Sequence, residues 1–389
     1  MTLYPLRPLA DLCERVTDGT HQPPKFTSSG IPFLFVSNIV NGQISFATTK
    51  FIAPDTHCEL NRRCPVEVGD VIVSTVGSYG NAAVVHDDRP FSFQRHIAHI
   101  KLKTNLLDAV YLVHALHSAF VRAQIDKSVR GVAQKTLNLS ELKKLQIPAP
   151  AINEQRRIAD VLDRAETLRA KRRAALAELD GLAQSIFIEM FGDPVINMKN
   201  WPLQALGSLG TLDRGISKHR PRNAPELLGG PYPLVQTGDI ANCDGYVRNY
   251  HSTYSEIGLR QSRLWPSGTL CITIAANIAK SGILLMDACF PDSVVGFVTE
   301  NRATVEFVRC WLSFVQKRLE ESAPESAQKN INLFTLRNLT LPVPPIDLQE
   351  MFARRVAAVE KLKAVQRASL AELDALFASL QDRAFRGAL

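Results

Sequence analysis

Residues 214 to 222, RGISKHRPR, carry Arg214, Lys218, Arg220 and Arg222 together with His219 and no acid. Four permanent cations in so short a stretch can neutralise phosphates, and each neutralised phosphate releases condensed counterions. The same composition also suits a solvated surface loop. A second set, Gln134 and Lys135, recurs as Gln328 and Lys329 at the matching place in the second half of the chain. Such groups read base edges or touch phosphates, and an amide can equally tie a loop to a neighbouring helix. Thr20, His21 and Lys25 form a third polar group near the N-terminus.

Motifs for catalysis are missing. No G-x-x-x-x-G-K-[ST] phosphate loop occurs, so hydrolysis of ATP by this chain is not expected. Gly77 to Gly80 and Gly229 to Gly230 lack its lysine and read as turns. Gln22-Pro23-Pro24-Lys25 lacks the Asn, Asp or Ser before and the aromatic after that an amino-methyltransferase motif requires. Asp292 and Glu300 are followed by Arg302 where a nuclease would need lysine. The pairs His96/His99 and His114/His117 have helical spacing and read as core or surface histidines. His57, Cys58 and Cys64 cluster in sequence, but no second ligand pair has zinc spacing.

The elements that must position these residues follow from a duplication. Residues 147 to 191 align without a gap to 341 to 385 at an offset of 194, with 18 of 45 positions identical. Ala133, Gln134, Lys135, Asn138 and Leu139 answer to Ala327, Gln328, Lys329, Asn332 and Leu333. A period this long excludes a solenoid and implies a globular domain followed by a helix, twice. Ile158, Val161, Leu162, Ala165, Leu168, Leu176, Leu179 and Leu182 recur at steps of three and four, as do Phe352, Val356, Val359, Leu362, Leu370, Leu373 and Leu376. These are apolar stripes on helices of about 38 residues, roughly 57 Å long. Asn153 and Asp347 are the expected N-caps, and Gly192 with Pro194 the first stop. A long stripe needs a partner. Either each helix packs on its own domain or the two pair, and a chain that leaves and returns would pair them antiparallel with near two-fold symmetry.

Ile31 to Val36, Gly69 to Val76, Tyr232 to Gln236 and Gly268 to Ile274 read as strands, and 108 to 128 and 305 to 321 as shorter helices. The expected fold is α+β: β-rich globular domains at 1–146 and 193–340, joined by helical spacers at 147–192 and 341–389 that form an antiparallel coiled coil. Tyr4, Pro5 and Leu6 answer to Trp201, Pro202 and Leu203, yet the loops between such anchors are unrelated, as expected if each domain reads a different ligand. The 389 residues, 46% apolar, suffice for two cores. Residues 1 to 152 carry 16 Lys and Arg against 12 acids, and 193 to 340 carry 15 against 13, so the net charge of +7 sits mainly in the globular parts. No apolar run reaches the roughly 18 residues that cross a bilayer, no signal-peptide layout is present, and seven cysteines without a C-x-x-C read as reduced; a cytoplasmic protein without a membrane partner is expected.

Several pieces, in order and twice over, resemble the specificity subunits of type I restriction-modification systems. They are Leu145-Gln146-Ile147-Pro148-Ala149-Pro150, Asn153-Glu154-Gln155-Arg156-Arg157-Ile158-Ala159, Phe191-Gly192-Asp193-Pro194 with Asn200-Trp201-Pro202, Gln134-Lys135-Thr136-Leu137-Asn138-Leu139, and Asp18-Gly19-Thr20-His21. The resemblance implies two target-recognition domains, each reading half of a split sequence on double-stranded DNA, and helices that bind two modification subunits. It also implies that S-adenosylmethionine, ATP and Mg belong to the modification and restriction subunits, while this chain performs no catalysis and holds no cofactor or metal. In this frame Thr20, His21, Lys25, Gln134, Lys135, Lys218, His219, Arg220, Arg222, Gln328 and Lys329 are the candidate DNA-binding residues. The alternatives are a fused or degenerate restriction or methylation enzyme, and a coiled-coil scaffold that binds no nucleic acid. The second repeat departs at Leu348-Gln349-Glu350, where the first has Glu154-Gln155-Arg156, so a polar contact at that helix start is expected once only.

Overall fold

The computed structural model describes all residues except 1, 41, 130–134, 276–277 and 323–330. Gln134, Gln328 and Lys329 lie outside the described residues. The chain divides into two compact units, Met1–Arg173 with Ala368–Leu389, and Ala174–Arg367.

In the first unit an antiparallel sheet runs in the order Cys13–Asp18, Ile97–Leu102, Val71–Ser74, Ala82–Val84. The run VIVS is buried on both faces, which is why it reads as continuously apolar rather than alternating. Val71 and Val73 face a core with Tyr111, Leu112, Ile158, Leu162 and Phe385. Ile72 faces a smaller one with Leu34, Phe91, Phe93 and Ile97. The stretch expected as one helix from 108 to 128 breaks at Ser118, whose extended backbone (φ −66°, ψ 148°) separates Ala109–His117 from Ala119–Ser128 and whose Oγ accepts from the Val121 N–H. His96 and His99 do not share a helix either, since His99 lies in the strand Ile97–Leu102.

The second unit repeats the plan with Thr211–Arg214, Val294–Val298, Leu270–Thr273, Ser281–Leu284 and Tyr246–Val247. Leu270 and Ile272 face Phe187, Phe307, Trp311, Phe352 and Val356, while Cys271 faces Trp265 and Phe290. In both units a short strand near the beginning closes on the strand before a long helix: Leu6–Pro8 pairs with Gln146–Pro148, and Leu203–Ala205 with Thr340–Pro342.

The long helices are Ile152–Phe191 and Ile346–Arg386. The first stops where Gly192 takes φ +79°, a conformation that glycine adopts without penalty. Neither begins on its expected cap. Ala151 O accepts from the Glu154 and Gln155 N–H groups, and Pro345 O from those of Leu348 and Gln349, which puts Asn153 and Asp347 inside the first turn. A buried glutamine anchors each start instead. Gln155 Nε2 donates to Pro150 O at 2.9 Å, and its repeat equivalent Gln349 donates to Pro344 O at 2.8 Å. At the first start Tyr4 Oη donates to Glu154 at 3.1 Å and Gln155 Oε1 also accepts from the Asp108 N–H at 2.9 Å, whereas Leu348 packs against core in the second.

Within each unit, segments of the two helices run antiparallel. In the first, Ile158 and Leu162 share a core with Phe377, Leu380 and Ala384, and Arg169 Nε donates to Asp374 at 2.6 Å. In the second, Lys363 Nζ lies 2.9 Å from Asp180 and Arg355 lies 3.1 Å from Glu189. Arg169 and Lys363 are repeat equivalents, as are Asp374 and Asp180, so each unit holds the same cross-helix pair with donor and acceptor helix exchanged. The seam is narrower than the sequence stripe. Leu168, Leu182, Leu362 and Leu376 lie outside it and are exposed, while Arg169 and Lys363 occupy it.

Candidate nucleic-acid interface

In each unit the first strand of the main sheet ends over a glycine that cannot be replaced without moving backbone. A Cβ on Gly19 would lie 2.2 Å from Phe93 O, and one on Gly215 would lie 2.2 Å from Phe290 O. The Gly19 N–H donates to Ile97 O and the Gly215 N–H to Val294 O. The loops that leave these points are unrelated in sequence but emerge from the same end of the same sheet.

In the first unit that end collects Thr20, His21 and Lys135. Thr20 O accepts from the Arg95 N–H at 2.9 Å, the adjacent His96 O accepts from the Thr75 N–H at 2.9 Å, and the Gly77 N–H donates to Lys135 O at 3.2 Å. Thr20 Oγ1 donates to Gln22 O at 2.9 Å. His21 is exposed and lies 2.9 Å from Asp18. Burial and the Arg95 charge hold the His96 imidazole below its usual range, so near neutral pH it presents an uncharged ring. Lys25 is exposed beside Phe26, whose ring packs edge-on to Phe33 at 5.4 Å and is capped by the Lys50 ammonium at 5.3 Å. Phe26 thus anchors the loop that carries Lys25.

In the second unit the basic loop leaves from the corresponding place: the Gly215 N–H donates to Val294 O as the Gly19 N–H does to Ile97 O, and the neighbouring Ile274 N–H donates to Ser293 O as the Thr75 N–H does to His96 O. The loop is less cationic than its sequence suggests. Arg222 donates to Asp292 at 2.6 Å, and the Arg220 guanidinium lies 3.7 Å from the same carboxylate. Arg220 also folds back onto Ser217 O and His219 O. One acid from 70 residues downstream therefore offsets part of the charge. Arg214 and Lys218 are exposed, and among the described residues their charged ends have no ion-pair partner. The backbone N–H groups of Lys218 and His219 both donate to Gln261 Oε1. Sequence reasoning found neither Asp292 nor Gln261 as a partner of this loop, because both contacts are long-range and nothing local signals them.

A second surface lies on the helices. The flanking row that joins Glu189 to Arg355 continues to Leu182 and Leu362, 37% and 53% exposed in the second unit. The equivalent positions in the first unit are Leu376 and Leu168, 49% and 50% exposed. Each unit therefore presents a pair of leucines beside the seam. No described helix is long and apolar enough to cross a membrane.

Comparison with known proteins matches residues 7–178 and 198–375 to the type I restriction modification DNA specificity domain. The specificity subunit of the type I restriction enzyme EcoBI of Escherichia coli is 28% identical over 177 residues, 44% of this chain and 37% of that subunit. A protein of Methanocaldococcus jannaschii described as the MjaX type I restriction enzyme specificity subunit is 21% identical over 385 residues, 94% of this chain and 88% of its own length. The solved S subunit of a type I restriction-modification system from M. genitalium shares the fold, with a TM-score of 0.62 and 16% identity over 99% of this chain and 96% of its own.

Proposed function

The chain belongs to the type I restriction modification DNA specificity family, and from that premise we propose that it selects the DNA target of a methylating and restricting complex while its partners perform the chemistry. The reading places it in the cytoplasm with its DNA. One observation carries it: the same sheet end, built over Gly19 and again over Gly215, supports two unrelated loops. A common frame with unlike loops is what two readers of different half-sites require. On this reading residues 1–146 and 193–340 are the readers, 147–192 and 341–389 are spacers, and the contacts are made from Thr20, His21, Lys25, Gln134 and Lys135 in the first and from Lys218, His219, Arg220, Arg222, Gln328 and Lys329 in the second. Lys218, whose ammonium has no ion-pair partner among the described residues, carries more of the phosphate attraction than Arg220 or Arg222, which Asp292 partly neutralises.

The helices receive two modification subunits, one at Leu168 and Leu376 and one at Leu182 and Leu362. Half-exposed leucines at equivalent places in both repeats support two like partners better than one. S-adenosylmethionine, ATP and Mg are assigned to the modification and restriction subunits. The test is to exchange residues 1–146 for the equivalent domain of a relative and map methylated adenines in cells that express the complex. Only one half of the methylated sequence should change. A change in both halves refutes independent readers.

A further inference from the structure

The turn at Gln261 and Ser262 holds the basic loop of the second unit. Gln261 Oε1 accepts from two successive backbone N–H groups, Lys218 at 2.7 Å and His219 at 3.0 Å. Ser262 Oγ donates to Ile216 O at 2.8 Å. From the other side, the Arg220 guanidinium closes on Ser217 O at 2.7 Å and His219 O at 2.8 Å. All four residues from 216 to 219 are fixed at the backbone by these side chains. Among the described residues Gln261 Nε2 is buried without a partner, so the carboxamide is oriented by its oxygen. A neutral oxygen has one advantage here over a carboxylate, because it accepts from the loop without cancelling the field of Lys218.

We propose that Gln261 is a positioning residue for DNA recognition by the second unit, which sets the loop at 216 to 219 before DNA arrives so that Lys218 meets a phosphate. The inference rests on the reading of that loop as DNA-facing. Without the anchor, binding must order the loop as well as neutralise a phosphate. Losing both hydrogen bonds should weaken binding by roughly ten- to thirtyfold.

The test compares Gln261→Met, which keeps the length and loses the acceptor, with Gln261→Glu, which keeps an acceptor, and with Lys218→Ala. Full-length protein is used throughout, assembled with its modification subunits for binding to a duplex bearing the methylated sequence mapped in cells. Amide hydrogen exchange of the chain supplies the second readout. Gln261→Met should accelerate exchange at Lys218 and His219, leave the strand Leu270–Thr273 protected, and weaken binding by roughly ten- to thirtyfold. Gln261→Glu should keep the two amides protected. Lys218→Ala should flatten the salt dependence by about one phosphate-equivalent, roughly 0.9 log units of slope. If Lys218→Ala weakens binding and Gln261→Met does not, the positioning role is wrong and the loop still faces DNA. If neither variant changes binding, the loop does not face DNA and the inference falls with that reading.

Discussion

Replacing Lys363 by Met removes the ammonium from the charge cluster of the second unit while keeping an unbranched apolar stem in its place. The side chain is 4% exposed, and its nitrogen lies 2.9 Å from Asp180, 3.4 Å from Glu360 and 3.7 Å from Asp244. Stranding a buried charge by removing its partner typically costs about 3 to 5 kcal/mol. The cost should be smaller here, because two of the three carboxylates keep other cations. Glu360 retains Arg248 at 2.7 Å and Arg367 at 3.8 Å, and Asp244 retains Arg367 at 2.5 Å. Asp180 loses its cation but is 54% exposed and can be rehydrated. Removal also returns the cost of desolvating the ammonium, so a net loss of about 2 kcal/mol is expected. All three tryptophans, Trp201, Trp265 and Trp311, lie in this unit, so urea unfolding followed by their fluorescence reports on it directly. The midpoint should fall by roughly 1 M, for a slope of about 2 kcal/mol per M. Asp180→Asn should then recover part of the loss in the Lys363→Met background while costing stability in the native one. An unchanged or raised midpoint, or an Asp180→Asn effect equal in both backgrounds, would refute the coupling.

The leucine pairs beside the seam make a different prediction. Leu168→Asp with Leu376→Asp should change stability by only about 0.5 kcal/mol, since both side chains are half exposed, yet remove one of two modification subunits from complexes weighed by sedimentation; retention of both at native affinity would defeat the docking assignment. Acid should loosen the first unit through His117. Burial, and then the charges of His114 and Arg122, hold that imidazole down at about 4, and its Nε2 accepts from the Ala82 N–H at 3.4 Å. The unfolded chain binds this proton first, near pH 6.5, so the stability is present in full above that pH and is lost as pH falls toward 4. Between pH 7 and 5 the loss should approach about 2 kcal/mol. It should shrink in His117→Gln, and an equal slope in that variant would remove His117 from the account.

The helices, the duplicated frame and the central strands were legible because their signals are periodic or repeated. Ile158, Leu162, Phe352 and Val356 announce a face at helical spacing, and the run VIVS at 71 to 74 announces a strand covered on both sides. The stripe overstated the seam, since spacing alone does not separate Leu168, which flanks it, from Ala165, which is buried. The anchors at Gln155 and Gln349 were hidden because a polar residue in a first turn looks like surface until its hydrogen bonds are known. Least legible was the state of the basic loop. Its cations are local in sequence, but Asp292 and Gln261, which neutralise and hold it, arrive from separate parts of the chain.

Cys64 shows how far sequence proximity misleads about chemistry. Along the chain it groups with His57 and Cys58, yet His57 Nδ1 bonds Ser92 Oγ at 3.0 Å. The neighbours of Cys64 come from strand adjacency. Its Sγ lies 3.1 Å from His99 Nδ1, and His99 Nε2 lies 2.7 Å from Asp70 Oδ2. The order is that of nucleophile, base and orienting carboxylate, but the environment argues against that use. Burial pushes the thiol up to about 11, so at neutral pH it is not the thiolate that attacks. The cavity beside it, about 40 Å³, holds a few waters at most and no substrate. Asp70 Oδ2 also accepts from the Glu67 N–H at 2.9 Å. The chain of three is better understood as mutual satisfaction of buried polar groups, which ties the end of the helix Pro54–Arg63 to the strands Val71–Ser74 and Ile97–Leu102 beneath the loop at Asp18 to Thr20. The most catalytic-looking geometry in the first unit therefore braces a candidate recognition loop.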